Sequence, residues 1–284
     1  MKIPVLLIAV LAWCCYTRGG ELAAVRVVSQ TVGTDELLLA VAEPAQIAAL
    51  SHLARKDEFS AVAEEAKRFP QLKQNGDLED VLQYRPTLLL CADYSRAELV
   101  SQARRAGIKV IVLTRYRTMA DAYENLRLIA REIGPEAEAR AERVIADCER
   151  RIAVLRERLQ GVKLVRVIAP SNYGVIPGDD STFQDLCDHA GAENLAATLG
   201  KLHGHQAPPT EQMLTWPIDR LVVPGNVVED ALAPFRSIPP YAYMASLKEN
   251  RAVLLKHYQL SCVSHLRIEG YELLARELHP ERFP

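Results

Sequence analysis

The chain has 284 residues, of which 49% are hydrophobic and 25% are charged, and its formal net charge is −2. This is ordinary globular composition, with enough length for two modest hydrophobic cores. No basic face accumulates along the sequence, so the charge pattern excludes the electrostatic footprint of a nucleic-acid-binding protein.

The first twenty residues have the composition of an export signal. Lys2 is the only charged residue before position 18, and the apolar run 3–13 is too short to span a bilayer. We therefore predict that residues 1–20 are a signal peptide. Cys14 and Cys15 raise the alternative of a lipid anchor, although a tryptophan precedes Cys14 where a small residue is expected.

Short apolar runs alternate with helical stretches over residues 21–134. Strands that alternate with helices predict a mainly parallel sheet covered on both faces. Thr34 is the expected N-cap of the first helix. The predicted strands are Val25–Ser29, Ile47–Leu50, Leu88–Leu90 and Ile108–Leu113, and the predicted helices are Asp35–Val41, Ala97–Ala106 and Met119–Ile133. We predict that residues 21–134 form an N-terminal α/β lobe.

Residues 135–160 predict one long connecting helix. Pro135 suits the first turn of a helix, and the stretch 136–160 contains no glycine or proline. Apolar residues recur in it at spacings of three and four, which gives one buried stripe. At 1.5 Å per residue such a helix is roughly 35–40 Å long, about the diameter of a domain. We predict that it joins two lobes.

The alternation of strands and helices restarts over residues 161–284, the predicted C-terminal lobe. Its predicted strands are Leu164–Ala169, Leu221–Val223 and Val253–Leu255, and its predicted helices are Thr182–Ala190 and Ser264–His279. The predicted fold class is therefore α/β, with two Rossmann-like lobes of mainly parallel sheet joined by one long α-helix. Ligands of open α/β sheets bind beyond the carboxyl ends of the strands, so we expect a ligand cleft between the lobes.

Several short motifs in a fixed order resemble one known family. They are Arg26–Ser29 followed by Thr34–Leu38, Gly76–Leu82 followed by Arg85–Leu90, Ala106–Val110, Gly191–Ala196, Ser264–Arg267 and Leu278–Glu281. In this order and spacing they resemble the helix-linked (class III) periplasmic substrate-binding proteins of ABC importers for cobalamin, haem and ferric siderophores. The likeness covers nearly the whole chain after residue 20.

The resemblance implies a monomeric periplasmic protein with no enzymatic activity and no resident cofactor. Such a protein captures an iron-siderophore, a corrinoid or a related metal chelate and delivers it to an ABC permease dimer. The residues agree with a binding role, because no Gly-rich phosphate-binding turn follows the first predicted strand and no G-x-S-x-G nucleophile elbow occurs.

The identity of the ligand stays open at this point. Leu72 stands where haem-binding members carry a ligating tyrosine, and Lys73 and Gln74 stand where cobalamin-binding members carry a tryptophan. The alternatives are a periplasmic haem-binding protein, a binder of free metal ions, and a chelatase-like enzyme on the same architecture.

Two glutamates are candidates for docking on the permease. Family members present one carboxylate from each lobe to arginine pockets on the permease, and the resemblance carries this role onto Glu79 and Glu211. Two charges of one sign held at a fixed separation would orient an ion-paired encounter. The alternative interpretation is a solvated glutamate at a helix start, which the helix dipole favours.

Polar and aromatic side chains in the loops form the candidate ligand-binding set. Tyrosine stacks on flat ligands or binds ferric iron, and arginine pairs with carboxylate or phosphate. The predicted ligand-binding residues are Tyr94, Arg115 and Tyr116 in the N-terminal lobe and Asn172, Tyr173, His205 and Tyr258 in the C-terminal lobe.

Three histidines in loops of the C-terminal lobe form a candidate metal site. His203 and His205 flank a glycine, and His257 follows the last predicted strand. Imidazole suits iron and other transition metals, so the three side chains are candidate ligands. Pairs of histidines at this spacing are also common by chance.

Overall fold

A computed structural model describes residues 25–74 and 76–284. The predicted signal peptide and the predicted lipid anchor at Cys14 or Cys15 lie outside the described residues. No helix in the described part of the chain is long and apolar enough to cross a lipid bilayer.

The N-terminal lobe is built on a four-stranded parallel sheet with strand order β2-β1-β3-β4. Its strands are β1 (Val27–Ser29), β2 (Ile47–Ala49), β3 (Leu88–Ala92) and β4 (Lys109–Leu113). Its helices are α1 (Val32–Val41), α2 (Ala63–Ala66), α3 (Leu78–Leu82), α4 (Ala97–Arg105) and α5 (Met119–Ile133). Every residue of β1, β2 and β3 is buried, as expected for a parallel sheet covered on both faces.

Helix α1 begins three residues before the predicted start, and the prediction of Thr34 as its N-cap is wrong. Thr31 is the cap, because its side chain accepts a hydrogen bond from the backbone N–H of Thr34 while the Thr34 side chain accepts from the N–H of Thr31. This reciprocal capping box satisfies two backbone donors of the first turn. It turns the chain directly from β1 into α1.

Helix α6 (Pro135–Arg158) connects the lobes and is shared by their two cores. Ala137, Ala141 and Ile145 pack in the core that contains β1 and β3. Cys148 and Leu155 pack in the core of the C-terminal lobe together with the start of α5. The buried stripe of the helix therefore changes partner about halfway along its length.

The C-terminal lobe repeats the architecture with a parallel sheet of strand order β10-β9-β5-β7. Its strands, including the antiparallel ribbon β6–β8, are β5 (Val165–Ile168), β6 (Ile176–Pro177), β7 (Ala192–Asn194), β8 (His205–Gln206), β9 (Arg220–Pro224) and β10 (Ala252–Leu255). Its helices are α7 (Thr182–Ala190), α8 (Leu195–Thr198), α9 (Thr210–Met213), α10 (Val228–Leu232), α11 (Ala245–Lys248) and α12 (Arg267–Leu278). The predicted fold, two α/β lobes with parallel sheets joined by one long helix, is confirmed.

Candidate functional site

A cleft of about 500 Å³ lies where the carboxyl ends of the N-terminal strands meet the C-terminal lobe. The N-terminal lobe supplies the segments that follow β1, β2 and β3, and the C-terminal lobe supplies the segment that follows β10. The residues that line it are Gln30–Gly33, Glu36, Ser51–Leu53, Phe59, Leu72, Lys73, Gly76 and Tyr94–Arg96 from the first lobe, and Tyr258 and Ser261–Val263 from the second. Its volume is within the range of small-molecule sites in proteins.

Glu36 on α1 lines the cleft, and the neighbouring carboxyl group of Asp35 is buried against Ser51, which also lines it. The Oε1 atom of Glu36 accepts from the N–H of Ala61 at 3.0 Å, and its Oε2 atom accepts from the hydroxyl of Ser264 at 2.6 Å. Asp35 is fully buried and accepts from the N–H of Ser51 at 3.0 Å. Burial raises the pKa of Glu36 and raises the pKa of Asp35 to about 7, because removal of water disfavours the charged form.

The lobes touch where α1 begins. A Cβ atom at Gly33 would lie 2.2 Å from Cγ2 of Val263, which is far inside van der Waals contact. Only glycine therefore admits Val263 at its present position. Val263 and the neighbouring Cys262 form the wall that the C-terminal lobe contributes to the cleft.

Tyr94 lines the cleft as predicted from the sequence, and its side chain is 62% exposed. Its ring meets the ring of Tyr116 edge-on, with 5.9 Å between the centroids. The hydroxyl of Tyr116 donates to Asp93 at 2.8 Å. Burial and this acceptor raise the pKa of Tyr116 to about 12. Tyr116 does not line the cleft but contacts Tyr94, which does.

Three basic side chains line the N-terminal wall of the cleft, namely His52, Lys73 and Arg96. Lys73 and Arg96 are exposed, and Arg96 donates to the backbone carbonyl of Gly76. None of the three was in the predicted ligand-binding set. The rule that ligands bind beyond strand ends would have found His52 after β2 and Arg96 after β3. Lys73 lies in a loop that no strand pattern singles out.

Arg115, Asn172 and Tyr173, three other predicted ligand-binding residues, do not line the cleft. Arg115 pairs with Asp121 at 3.2 Å and with Glu124, both on α5. Asn172 and Tyr173 follow β5, and Tyr173 is 88% exposed. They follow strands as predicted, but their loops do not reach the enclosed volume.

Tyr258 lines the cleft as predicted but is only 8% exposed. Its hydroxyl donates to Glu269 at 3.2 Å, and burial raises the pKa of the phenol. Tyr258 also lines a neighbouring groove of about 740 Å³, which His257, Asp57, Glu58 and residues 60–65 border. The side chain therefore separates the two spaces.

The histidines of the predicted metal site lie in different surroundings. His203 is held by Asp179 at 2.6 Å and by Asp180 at 3.4 Å, whereas His205 is exposed in β8 and His257 borders the neighbouring groove. Among residues 25–74 and 76–284, no group of three or more His, Cys, Asp or Glu side chains could hold a metal ion. The metal-ligand assignment stays a prediction.

The two predicted docking glutamates are exposed, one on each lobe. Glu79 lies in the first turn of α3 and Glu211 in the first turn of α9. An acidic residue in a first turn is stabilised by the helix dipole in any case, so this position alone does not distinguish docking from a structural preference.

Comparison with known proteins agrees with this architecture. Residues 27–258 match a family model described as periplasmic binding protein. No curated protein matches the chain. The periplasmic heme-binding protein RhuT from Roseiflexus sp. RS-1 is similar in structure, with a TM-score of 0.76 and 19% identity, covering 91% of this chain and 99% of that one.

Two further solved structures show the same fold. A periplasmic heme-binding protein from Pseudomonas aeruginosa has a TM-score of 0.74 and 18% identity, covering 90% of this chain and 92% of that one. Ceue from Helicobacter pylori with Ni(II) bound has a TM-score of 0.70 and 17% identity, covering 93% of this chain and 86% of that one. Since the family model spans most of its length, the chain belongs to the periplasmic binding protein family.

Proposed function

We propose that the chain is the substrate-binding component of an ABC importer. It works in the periplasm as a monomer, captures an iron-siderophore, a corrinoid or a related metal chelate between its lobes, and delivers it to a permease dimer. The observation that carries the proposal is the cleft of about 500 Å³ to which both lobes contribute. A ligand bound in a cleft between two lobes contacts both of them and so affects their relative position. It can thereby change a docking surface to which both lobes contribute.

The lining of the cleft supports a ligand that combines anionic groups with an apolar surface. Lys73 and Arg96 supply positive charge, and charge-assisted bonds to carboxylate or catecholate oxygens are stronger than neutral ones. Phe59 is 45% exposed and Tyr94 is 62% exposed, so both offer ring surface to a flat or bulky chelate. A small hydrated ion would leave this apolar surface unused.

Haem is the second candidate. Structural relatives from Roseiflexus sp. RS-1 and Pseudomonas aeruginosa are described as heme-binding proteins. In this chain the phenol of Tyr94 could bind ferric iron, and Lys73 and Arg96 could pair with the two carboxylates of haem. Leu72, at the position where haem-binding members carry a ligating tyrosine, is 6% exposed and offers no ligand.

A binding titration tests the proposal. Purified protein is titrated with a ferric catecholate siderophore, cyanocobalamin and haemin, followed by absorption spectroscopy and calorimetry, because each ligand has its own absorption bands. We expect one of the three to bind, and the Lys73→Gln/Arg96→Gln double variant to weaken binding of an anionic ligand about tenfold or more.

A matched control and a second assay complete the test. The double variant Lys201→Gln/Arg220→Gln removes two exposed charges away from the cleft and should leave the affinity unchanged. Uptake in cells should fall in Glu79→Ala and Glu211→Ala variants whose affinity is normal. Failure of all three ligands to bind the wild-type protein would overturn the proposal.

A further inference from the structure

Arg267, the first residue of α12, crosses from the C-terminal lobe to the N-terminal lobe. Its side chain is 3% exposed, and its guanidinium donates to the backbone carbonyl of Tyr116 at 2.7 Å and to that of Arg117 at 2.7 Å. It also donates to Asp185 on α7 at 2.8 Å. Its Nε atom donates to the backbone carbonyl of Ser264 at 3.3 Å. Two of the four acceptors therefore lie on the opposite lobe.

The buried charge is compensated within the C-terminal lobe. Asp185 is 7% exposed, and it also accepts a hydrogen bond from the hydroxyl of Tyr271. A buried guanidinium needs such a partner, because an unpaired buried charge is costly. The bonds to the two carbonyls are not required for charge balance. Their consequence is to fix the loop between β4 and α5 against the other lobe.

That loop carries the side chain that supports Tyr94 in the cleft. Tyr116 is held at its backbone by Arg267 and at its hydroxyl by Asp93, with a distance of 2.8 Å. The ring fixed between these two bonds meets Tyr94 edge-on at 5.9 Å. A continuous series of contacts thus runs from α12 to an exposed aromatic ring in the cleft.

We propose that Arg267 is a positioning residue of the ligand cleft, which from the C-terminal lobe fixes the Tyr116–Arg117 backbone and through Tyr116 orients Tyr94. The inference rests on the proposed function, since it concerns the same cleft. Arg267 itself does not line the cleft, so its effect on binding is indirect. Lysine cannot replace it, because one ammonium group does not present the fork of donors that reaches two carbonyls and a carboxylate.

The test compares Arg267→Lys with Tyr271→Phe. The lysine keeps a positive charge beside Asp185 but gives up the paired bonds to the loop. The phenylalanine removes the hydrogen bond from Tyr271 to the same Asp185 and leaves the two bonds from Arg267 to the N-terminal lobe in place. It therefore controls for the loss of stability that follows from weakening the contacts of Asp185. Hydrogen exchange is measured for peptides that contain residues 114–118, where the N–H groups of Arg117 and Thr118 donate to Asp121.

In Arg267→Lys we expect exchange of this loop to rise at least tenfold relative to peptides from β5 and β9, and the affinity for the best-binding probe of the titration to fall about tenfold. In Tyr271→Phe we expect neither change. Equal loop protection in Arg267→Lys and wild type would overturn the inference, as would the same loop response in both variants. If Arg267→Lys does not fold, Arg267→Met/Asp185→Asn removes both buried charges and is measured in the same way. The exchange readout needs no ligand, so it decides the inference even if no probe binds.

Discussion

At the scale of single residues, His265 stands out because it is buried without a full set of hydrogen bonds. It is 8% exposed, and its Nδ1 atom has no hydrogen-bond partner among the described residues. Burial, reinforced by the charge of Arg151, lowers the pKa of the imidazole to about 4. His265 lies beside α6, because its backbone carbonyl accepts a hydrogen bond from the thiol of Cys148 at 3.8 Å.

We predict that His265 makes the protein sensitive to acid. The pKa of His265 is lower in the folded state than in the unfolded state, so the folded state binds fewer protons as the pH falls. The contribution of the neutral imidazole to stability is therefore fully present above about pH 6.5 and is lost as the pH falls towards 4. A shift of this size corresponds to about 3 kcal/mol at its limit. His265→Leu should therefore reduce the loss of unfolding free energy between pH 7 and pH 4 by up to about 3 kcal/mol, measured by urea denaturation.

The control for this prediction is His257→Leu, which changes an exposed imidazole. That variant should follow the wild-type dependence of stability on pH. An unchanged acid sensitivity in His265→Leu would show that other groups, and not this imidazole, take up the protons on unfolding.

Some site residues could be predicted from the sequence, and others could not. Tyr94 and Tyr258 were identified because each follows a strand, and both line the cleft. Arg115 follows a strand equally well, yet Asp121 and Glu124 on its own lobe bind it. The hydrophobic pattern of the sequence locates the end of a strand but does not predict which nearby carboxylate an arginine side chain will pair with.

At the scale of elements, local capping explains which boundaries the sequence predicts. Helix α5 (Met119–Ile133) and helix α7 (Thr182–Ala190) have the predicted bounds, because Thr118 and Ser181 cap their starts and a glycine follows each end. The ribbon β6–β8 was missed, since two-residue strands carry no periodic signal. Short pairings of this kind depend on contacts that form only in the folded lobe.

Because the two halves of α6 pack in different cores, we predict that they stabilise different lobes. Ile145 and Leu155 are 2% and 3% exposed and lie in different cores. Ile145→Ala and Leu155→Ala should each cost about 2–5 kcal/mol of unfolding free energy, because each leaves a cavity. Native-state hydrogen exchange should increase mainly in β1 and β3 for the first variant and mainly in β5 and β9 for the second.

Val154→Ala on the same helix is the control, since Val154 is 46% exposed. It should change stability by only about 0.5 kcal/mol or less. If Ile145→Ala and Leu155→Ala loosen both sheets equally, the two lobes unfold as one unit, and the proposed division into lobes 21–134 and 161–284 around the connecting helix has no energetic basis.

At the scale of the whole molecule, several contacts besides α6 hold the lobes against each other, and three of them come from one short segment of the C-terminal lobe. Ser264 donates to the buried Glu36, Arg267 donates to two carbonyls of the opposite lobe, and Val263 packs against Gly33. These three come from residues 263–267, which lead into α12 and include its first residue. Because this segment also walls the cleft, the separation of the lobes and the shape of the cleft cannot change independently.

The contact between Gly33 and Val263 predicts that Gly33→Ala destabilises the protein when residue 263 is valine and stabilises it when residue 263 is alanine. Gly33→Ala places a Cβ atom 2.2 Å from Cγ2 of Val263, so the lobes must separate or Val263 must shift, at a cost of about 1–3 kcal/mol. In a Val263→Ala background the nearest remaining atom is Cβ of residue 263 at 3.7 Å, an ordinary contact. There the same substitution should stabilise the protein by up to about 1 kcal/mol, since alanine is the better helix former.

The four proteins of this double-mutant cycle are compared by urea denaturation and small-angle X-ray scattering. The double variant should be more stable than the sum of the two single effects predicts. Only the single Gly33→Ala variant should show an increased radius of gyration. If Gly33→Ala costs the same in both backgrounds, its effect is local to α1, and the contact between the lobes does not set their spacing.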